Sequence, residues 1–181
     1  MDSLSNKRII LGVTGGIAAY KSADLVRRLI KMGAEIRVVM TPAATEFVRP
    51  LTFQALSGNT VHSALVDSDA EAAMGHIELA KWADLLLVAP ATANTISTLV
   101  QGRADTLLGA IYLAVNAPTM IAPAMNQAMW HHPATISNLE TLSRTGVEII
   151  EPDSGSQACG DIGLGRMREP AQIADRVAAR F

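Results

Sequence analysis

Short apolar runs alternate along this chain with longer segments of amphipathic character. Five of these runs have the length and composition of strands buried on both faces, at residues 9–14, 36–40, 84–89, 119–122 and 147–150. Apolar residues at helical spacing predict helices over 17–32, 43–58 (two short helices), 77–82, 93–101, 106–115, 133–144 and 169–181. Residues 61–73 are polar, and we expect them to be irregular. This alternation predicts an α/β fold, a doubly wound (Rossmann-like or flavodoxin-like) parallel sheet with helices on both faces.

A glycine-rich stretch at residues 153–167 interrupts this pattern and contains Cys159, the only cysteine. Glycine loses more backbone entropy on ordering than any other residue, so the stretch predicts a surface flap that closes over a ligand, not a packed strand or helix. A lone cysteine is more often a small buried apolar residue. Polar, glycine-rich neighbours favour a nucleophile, a redox group or a proton donor at Cys159.

Polar and small residues follow four of the predicted strands. In a parallel sheet, ligands bind beyond the carboxyl ends of the strands, so we expect these segments to converge on one crevice. They are Gly15-Gly16, Thr41–Ala43, the run 90–95 and the run 123–126.

The glycine pair at the first of these junctions suits a phosphate, because a strand-to-helix turn offers free backbone N–H groups. No third glycine follows at the dinucleotide spacing, which favours a mononucleotide. A tight structural turn explains Gly15-Gly16 equally well. Thr92, Asn94 and Thr95 are candidates for a helix cap, for contacts to a phosphate or flavin ring, or for both.

Two further polar residues are candidates for chemistry. His76 begins a short predicted helix, whose positive end favours a neutral imidazole that can accept a proton, although a lone histidine is usually structural. Asn126 is either a helix cap or an uncharged amide donor to a substrate carboxylate. His131 and His132 are adjacent and point apart, with no carboxylate at ligand spacing, so we expect no metal site.

Composition limits the classes of function. The chain has 181 residues, 49% hydrophobic and 18% charged, which predicts one domain over residues 1–181. Net charge is -2 with scattered basic residues, so we expect neither nucleic acid nor a membrane as partner. No apolar run is long enough to cross a bilayer, and we expect no signal peptide. One cysteine forms no internal disulfide, which favours a cytoplasmic location.

Five motifs occur in an order that resembles a known family. They are Gly15–Lys21, His76–Leu79, Pro90–Thr95, Pro123–Asn126 with Met129-Trp130, and Ala158–Asp161 with Gly165–Met167. Together they resemble the homo-oligomeric flavin-containing cysteine decarboxylases, over nearly the whole chain.

The resemblance implies a cofactor, an assembly and residue roles. FMN would bind at a subunit interface of a homotrimer, and trimers would assemble further, as in a dodecamer. His76 would accept a proton, Cys159 would donate one, and Asn126 would bind the substrate carboxylate. Ser156, Ala158 and Met129 would join Asn126 in binding substrate. The implied FMN contacts are Gly15, Gly16, Thr41, Pro42, Ala43, Thr92, Ala93, Asn94, Thr95 and Ala124.

The implied reaction is the decarboxylation of 4′-phosphopantothenoylcysteine to 4′-phosphopantetheine in coenzyme A biosynthesis. The thiol would be oxidised to a thioaldehyde, CO₂ would leave, and the resulting ene-thiol would be protonated and reduced again, so that the reaction is redox-neutral. In bifunctional bacterial members a synthetase domain follows, and Phe181 lies about where it would begin.

Three alternatives stay open. A peptidyl-cysteine decarboxylase would use the same flavin step, and a flavin prenyltransferase would share the fold but not need Asn126 and Cys159 together. A non-catalytic FMN-binding regulatory subunit belongs to a different class. The presence of His76, Asn126 and Cys159 together favours the enzyme.

Overall fold

Five parallel strands form the central sheet of the computed structural model, which describes residues 3–65 and 75–181. They are β1 (Arg8–Val13), β2 (Glu35–Met40), β3 (Leu85–Ala91), β4 (Thr119–Pro123) and β5 (Glu148–Ile149). Their spatial order is β2-β1-β3-β4-β5, the flavodoxin-like order of a doubly wound sheet. The predicted fold class is therefore confirmed. The chain reverses its winding direction between β1 and β3, which opens a crevice at the carboxyl ends of these two strands.

Helices cover both faces of the sheet, as buried strands require. They are α1 (Lys21–Lys31), α2 (Pro42–Thr45), α3 (Pro50–Ser57), α4 (His76–Trp82), α5 (Ala93–Val100), α6 (Leu107–Ala114), α7 (Gln127–Trp130), α8 (Pro133–Arg144) and α9 (Pro170–Ala178). One core contains the apolar side chains of α1, α3 and α9, among them Leu25 and Phe53. The other contains those of α4, α5, α6 and α8, among them Leu79 and Ile111. No helix within the described ranges is long and apolar enough to cross a membrane.

Two element boundaries near the crevice differ from the prediction. A 3-10 helix, Ile17–Tyr20, precedes α1, so the predicted helix over 17–32 is two helices in succession. Such tight turns are common at helix N-termini, and apolar spacing does not distinguish them. Strand β3 continues past its predicted end at residue 89, through Pro90 to Ala91. Proline lacks an N–H, and the carbonyl groups here are bound by side-chain hydroxyls instead.

The glycine-rich stretch contains two strands, so the prediction that it forms no packed strand is wrong, whereas its closure over a ligand stays a prediction. It forms an antiparallel hairpin of β6 (Asp153–Ser156) and β7 (Ile162–Arg166). The glycines allow close packing: a Cβ on Gly165 would lie closer than 3.0 Å to the Met125 carbonyl oxygen, and one on Gly163 would meet the Gln127 side chain as closely. The Met125 N–H donates to the Gly165 carbonyl at 2.9 Å. The hairpin, called the docked hairpin below, is therefore held directly against the loop before α7.

The segment 61–73 is described only in part. His62 forms a parallel bridge to Val39, and its carbonyl accepts a hydrogen bond from the Met40 N–H at 2.8 Å. This bridge adds one residue of pairing beside β2. Residues 66–73 of the predicted irregular segment lie outside the described residues.

Candidate active site

A cavity of about 890 Å³ opens at the carboxyl ends of β1 and β3. Its volume lies within the range of small-molecule sites. The structure brings together on its walls every predicted site residue except His76. These are Gly15, Gly16, Thr41, Pro42, Ala43, Thr92, Ala93, Asn94, Thr95, Ala124, Asn126, Met129, Ser156, Ala158 and Cys159. Their individual roles stay predictions.

Two buried hydroxyl groups hold the end of β3 and the residue that follows it. The Ser22 hydroxyl donates to the Ala89 carbonyl at 2.7 Å, and the Thr14 hydroxyl donates to the Pro90 carbonyl at 2.7 Å. The Thr14 oxygen also accepts from the Thr92 N–H at 3.2 Å. Both side chains are almost completely buried, so their hydrogen bonds are shielded from water. The end of β1 and the start of α1 thus fix the course of the cavity wall.

Two helices begin at this wall. The Thr92 side chain caps α5 by accepting from the Thr95 N–H, and the Thr41 side chain caps α2 by accepting from the Ala44 N–H, both at 3.3 Å. A Cβ on Gly15 would lie closer than 3.0 Å to Ala43, so only glycine lets these two segments approach. The result is a cradle of backbone N–H groups and threonine hydroxyls that suits a phosphate.

The charged side chains among the described residues that line the cavity are both cations, Lys21 and Arg166. Both approach the same carboxylate: Lys21 Nζ lies 2.7 Å from Glu169 Oε1, and Arg166 Nη2 lies 3.4 Å from it. Glu169 offsets one of these two charges, so the part of the cavity wall that contains Lys21 and Arg166 keeps one positive charge. This part of the cavity is therefore suited to an anionic group of a ligand.

Asn126, Cys159 and Asp161 form a polar cluster where the docked hairpin meets α7. Asn126 Nδ2 lies 3.2 Å from Cys159 Sγ and 2.9 Å from Asp161 Oδ2. Asn126 Oδ1 accepts from the Ala128 N–H at 2.8 Å, which caps α7. Both sequence hypotheses for Asn126 are thus compatible, because the oxygen caps the helix while the NH₂ group faces the hairpin.

His76 lies apart from these residues, at the N-terminus of α4, where it is half-buried. It is not among the residues that line the cavity of its own chain. A single chain therefore presents Asn126 and Cys159 together, without His76 beside them.

The sequence pattern does not indicate that Gln157 belongs to the site. Its Oε1 accepts from the Gln127 N–H at 3.0 Å and its Nε2 donates to the Leu164 carbonyl at 3.1 Å, so it joins the docked hairpin to α7. Nothing in its sequence neighbourhood distinguishes it from the other glutamines of the chain. Lys21 lies in a quoted motif, but its proximity to Glu169, 148 positions further on, depends on the packing of α1 against α9.

A separate ion pair lies at the opposite edge of the sheet. Arg8 donates to Asp84 from its backbone N–H and from its guanidinium group, at 2.9 to 3.1 Å. These hydrogen bonds, opposed by partial burial, lower the pKa of the Asp84 carboxyl. The pair joins the start of β1 to the turn before β3 and takes no part in the cavity.

The flavodoxin-like sheet, the phosphate cradle at its switch point and the cationic lining define a doubly wound mononucleotide-binding protein. Comparison with known proteins narrows this class. The family described as Flavoprotein matches residues 1–181. The chain belongs to the flavoprotein family, and the resemblance to flavin-containing cysteine decarboxylases is confirmed.

Three similar proteins lie within this family. The coenzyme A biosynthesis bifunctional protein CoaBC of Haemophilus influenzae is 59% identical over 170 residues, which cover 94% of this chain and 42% of that protein. The chain thus spans less than half the length of this relative. A Cys-to-Ser mutant of PPC decarboxylase complexed with pantothenoylaminoethenethiol has a TM-score of 0.85 at 33% identity, covering 96% of this chain and 97% of that one. The FMN binding protein AtHal3 has a TM-score of 0.82 at 33% identity, covering 97% and 96%.

Proposed function

We propose that this chain catalyses the FMN-dependent decarboxylation of 4′-phosphopantothenoylcysteine to 4′-phosphopantetheine, a step of coenzyme A biosynthesis. The observation that carries the proposal is the 3.2 Å contact between the Asn126 amide and the Cys159 sulfur at the edge of the cavity. It places an uncharged amide, which can donate a hydrogen bond to the substrate carboxylate, beside a thiol, as the reaction requires. The decarboxylase and FMN-binding relatives support the same activity.

The cavity fits FMN by its shape and its charge. The segments at Gly15 and Ala43 approach too closely for any side chain at residue 15. A strand-to-helix junction of this kind offers backbone N–H groups that would bind the phosphate. Residues 92–95 would contact the flavin or its phosphate from the start of α5. When bound, FMN supplies the reversible two-electron oxidation that the carbon next to sulfur requires.

The side chains of the polar cluster would handle the carboxylate and the protons. Asn126 Nδ2 would donate to the substrate carboxylate without a positive charge, so it would orient the group without strongly stabilising the charged ground state. Cys159 would give its S–H proton to the carbon that has lost CO₂. His76 would accept the proton of the substrate thiol.

The position of His76 supports a shared active site in a homo-oligomer. His76 does not line the cavity of its own chain, and the cavity-lining Ile17 and Tyr20 are 63% and 61% exposed. Large apolar side chains with such exposure at a cavity edge are typical of surfaces covered by a partner. We assign that cover to a second copy in a trimer, which would bring its own His76 to the site. A cytoplasmic location stays a prediction.

The cationic lining favours a phosphorylated substrate over a peptide that ends in cysteine. The test is the absorbance spectrum of the purified protein, followed by mass analysis after adding either 4′-phosphopantothenoylcysteine or a peptide with C-terminal cysteine. We expect a flavin spectrum and loss of CO₂ from the phosphorylated compound. A colourless protein that binds no FMN contradicts the cofactor, and turnover of the peptide alone contradicts the substrate.

Residue roles and the shared site are tested by mixing two variants. His76→Asn and Cys159→Ser should each lose most product formation while keeping FMN, and the Cys159→Ser variant should still release CO₂ but stall before reduction. If His76 and Cys159 of one site come from different chains, refolding the two variants together should restore part of the activity. Absence of restoration in a mixed oligomer contradicts the shared site.

A further inference from the structure

Asp161 contacts both side chains to which the proposed function assigns chemistry at the docked hairpin. Its Oδ2 accepts a hydrogen bond from Asn126 Nδ2 at 2.9 Å and one from the Cys159 thiol at 3.4 Å. Asp161 is not among the residues that line the cavity. It therefore holds the two reactive groups without occupying ligand space.

The orientation of the Asn126 amide follows from its other partner. Asn126 Oδ1 accepts from the Ala128 N–H, so Nδ2 must face the hairpin. Asp161 Oδ2 and Cys159 Sγ both lie within hydrogen-bonding distance of Nδ2, which carries two hydrogens. Sulfur is a weak acceptor and carboxylate a strong one. An arriving substrate carboxylate would therefore take the hydrogen that now points to sulfur, while Asp161 keeps the other.

We infer that Asp161 is a positioning residue for the proposed decarboxylation, and the inference rests on that proposed function. Its carboxylate fixes the rotation of the Asn126 amide and orients the S–H group of Cys159 beside it. The same Oδ2 atom binds both groups. One oxygen atom therefore places the Asn126 amide, which would bind the substrate carboxylate, relative to the Cys159 thiol, which would donate the proton.

This arrangement has a consequence for proton transfer. While substrate is bound, one Asn126 hydrogen is on its carboxylate. When CO₂ leaves, that hydrogen is free to return to Cys159 Sγ. At that stage the S–H group would turn from Asp161 Oδ2 to the carbon that lost CO₂, the S–H bond would break, a C–H bond would form there, and the negative charge of the ene-thiolate would pass to Cys159 Sγ. The returning N–H would stabilise that charge, and solvent would then reprotonate the exposed thiolate.

The Asp161 side chain can be changed without removing the backbone contacts of the hairpin turn. Its backbone carbonyl accepts from the Gln157 N–H at 2.8 Å, and the Gln157 carbonyl accepts from the Gly160 N–H at 2.9 Å. Neither contact uses the Asp161 side chain. Asp161→Ala removes both side-chain hydrogen bonds, and Asp161→Asn keeps an acceptor oxygen but loses the charge. Asp175→Asn, on the exposed side of α9, is a matched control for the charge change.

The single cysteine provides a readout that is independent of turnover. We expect the infrared S–H stretching band of the holoprotein to have the frequency of a hydrogen-bonded thiol. The band should shift to that of a free thiol in Asp161→Ala and stay in place in Asp175→Asn. Cys159→Ser, which lacks the band, identifies it.

Kinetics give the second readout. We expect kcat to fall at least about tenfold in Asp161→Ala and less in Asp161→Asn, because loss of a charge-assisted hydrogen bond has about that effect. The dissociation constant for FMN should stay within about twofold, since Asp161 does not line the cavity. An unchanged S–H band in Asp161→Ala, or kcat within about twofold of the wild type, overturns the inference. If the wild type itself fails to decarboxylate, the proposed function has failed, and the infrared band still decides whether Asp161 holds the thiol.

Discussion

Replacing Gly165 by alanine should undock the hairpin from the loop before α7 and stop the proposed decarboxylation while the central sheet stays folded. Gly165 has a φ of 130°, in a region that other residues rarely adopt. Its added Cβ would also collide with the Met125 carbonyl oxygen. The hydrogen bond between the Met125 N–H and the Gly165 carbonyl would not survive the necessary shift.

The expected loss of docking free energy follows from the backbone conformation of residue 165 and from the lost hydrogen bond. A residue held in such a sparsely populated conformation costs about 1–3 kcal/mol. The lost backbone hydrogen bond adds about 1 kcal/mol. The docked state should therefore lose about 2–4 kcal/mol, which lowers the ratio of docked to undocked hairpin about 30- to 1,000-fold.

Gly160→Ala provides the control within the same hairpin. Gly160 has a φ of 91°, and a Cβ there would meet nothing within 4 Å. This variant bears only the conformational cost of about 1–3 kcal/mol and keeps the hydrogen bond to Met125, so its docked fraction should fall less. Hydrogen exchange of peptides that contain Met125 and the hairpin measures docking, and product formation from 4′-phosphopantothenoylcysteine measures its effect on the site.

For Gly165→Ala we expect rapid hydrogen exchange in the Met125 peptide and in the hairpin peptide, and for Gly160→Ala we expect intermediate exchange. The protection of β1 and β3 should be unchanged in both variants. Slow exchange together with wild-type turnover in Gly165→Ala would refute the claim that close backbone packing explains the glycines. An equal loss of exchange protection in the two variants would mean that the backbone conformation alone, and not the collision with Met125, explains the undocking.

Three further outcomes are expected. Gly15→Ala should lower the Tm of the apoprotein by forcing the cradle apart, whereas Gly16→Ala, whose Cβ would make an ordinary 3.6 Å contact, should leave Tm nearly unchanged in a thermal melt. Thr14→Val should weaken FMN binding about tenfold in a fluorescence titration, because a buried carbonyl and N–H lose their partner, and Thr14→Ser should restore it. Because the pKa of folded Asp84 is lowered by Arg8, this pair stabilises the fold above the ordinary aspartate pKa, and that stability is lost as pH falls through the lowered value. Urea unfolding at pH 7 and near pH 3 should therefore differ less in Asp84→Asn than in the wild type.

The sequence predicted the sheet well because its apolar runs are continuous. Buried parallel strands need apolar residues on both faces, and all seven residues of β3 are buried. The convergence of Gly15-Gly16 and Thr92–Thr95 also followed from the sequence, since the carboxyl ends of parallel strands meet at one edge. Local pattern fails at Pro90, where the strand continues because hydroxyl groups from another part of the chain bind its carbonyls.

The docked hairpin shows the limit of reading composition alone. Glycine at 163 and 165 suggests a flexible backbone when only backbone entropy is considered. In the fold, glycine is required at 165 because the Met125 backbone lies where a side chain would be, and a side chain at 163 would meet that of Gln127. A sequence does not reveal which distant segment will approach.

The sequence by itself determined the α/β class, the strand ends that line the cavity, and the presence of an amide and a thiol suited to decarboxylation. Only the tertiary structure decided that Asp161 binds both of those groups, that Lys21 and Arg166 approach one carboxylate, and that His76 lies outside the cavity of its own chain. The physical reason is that periodicity and local turns depend on neighbours in sequence. Hydrogen bonds and charges between residues far apart in the chain depend on how helices and the hairpin pack across the sheet.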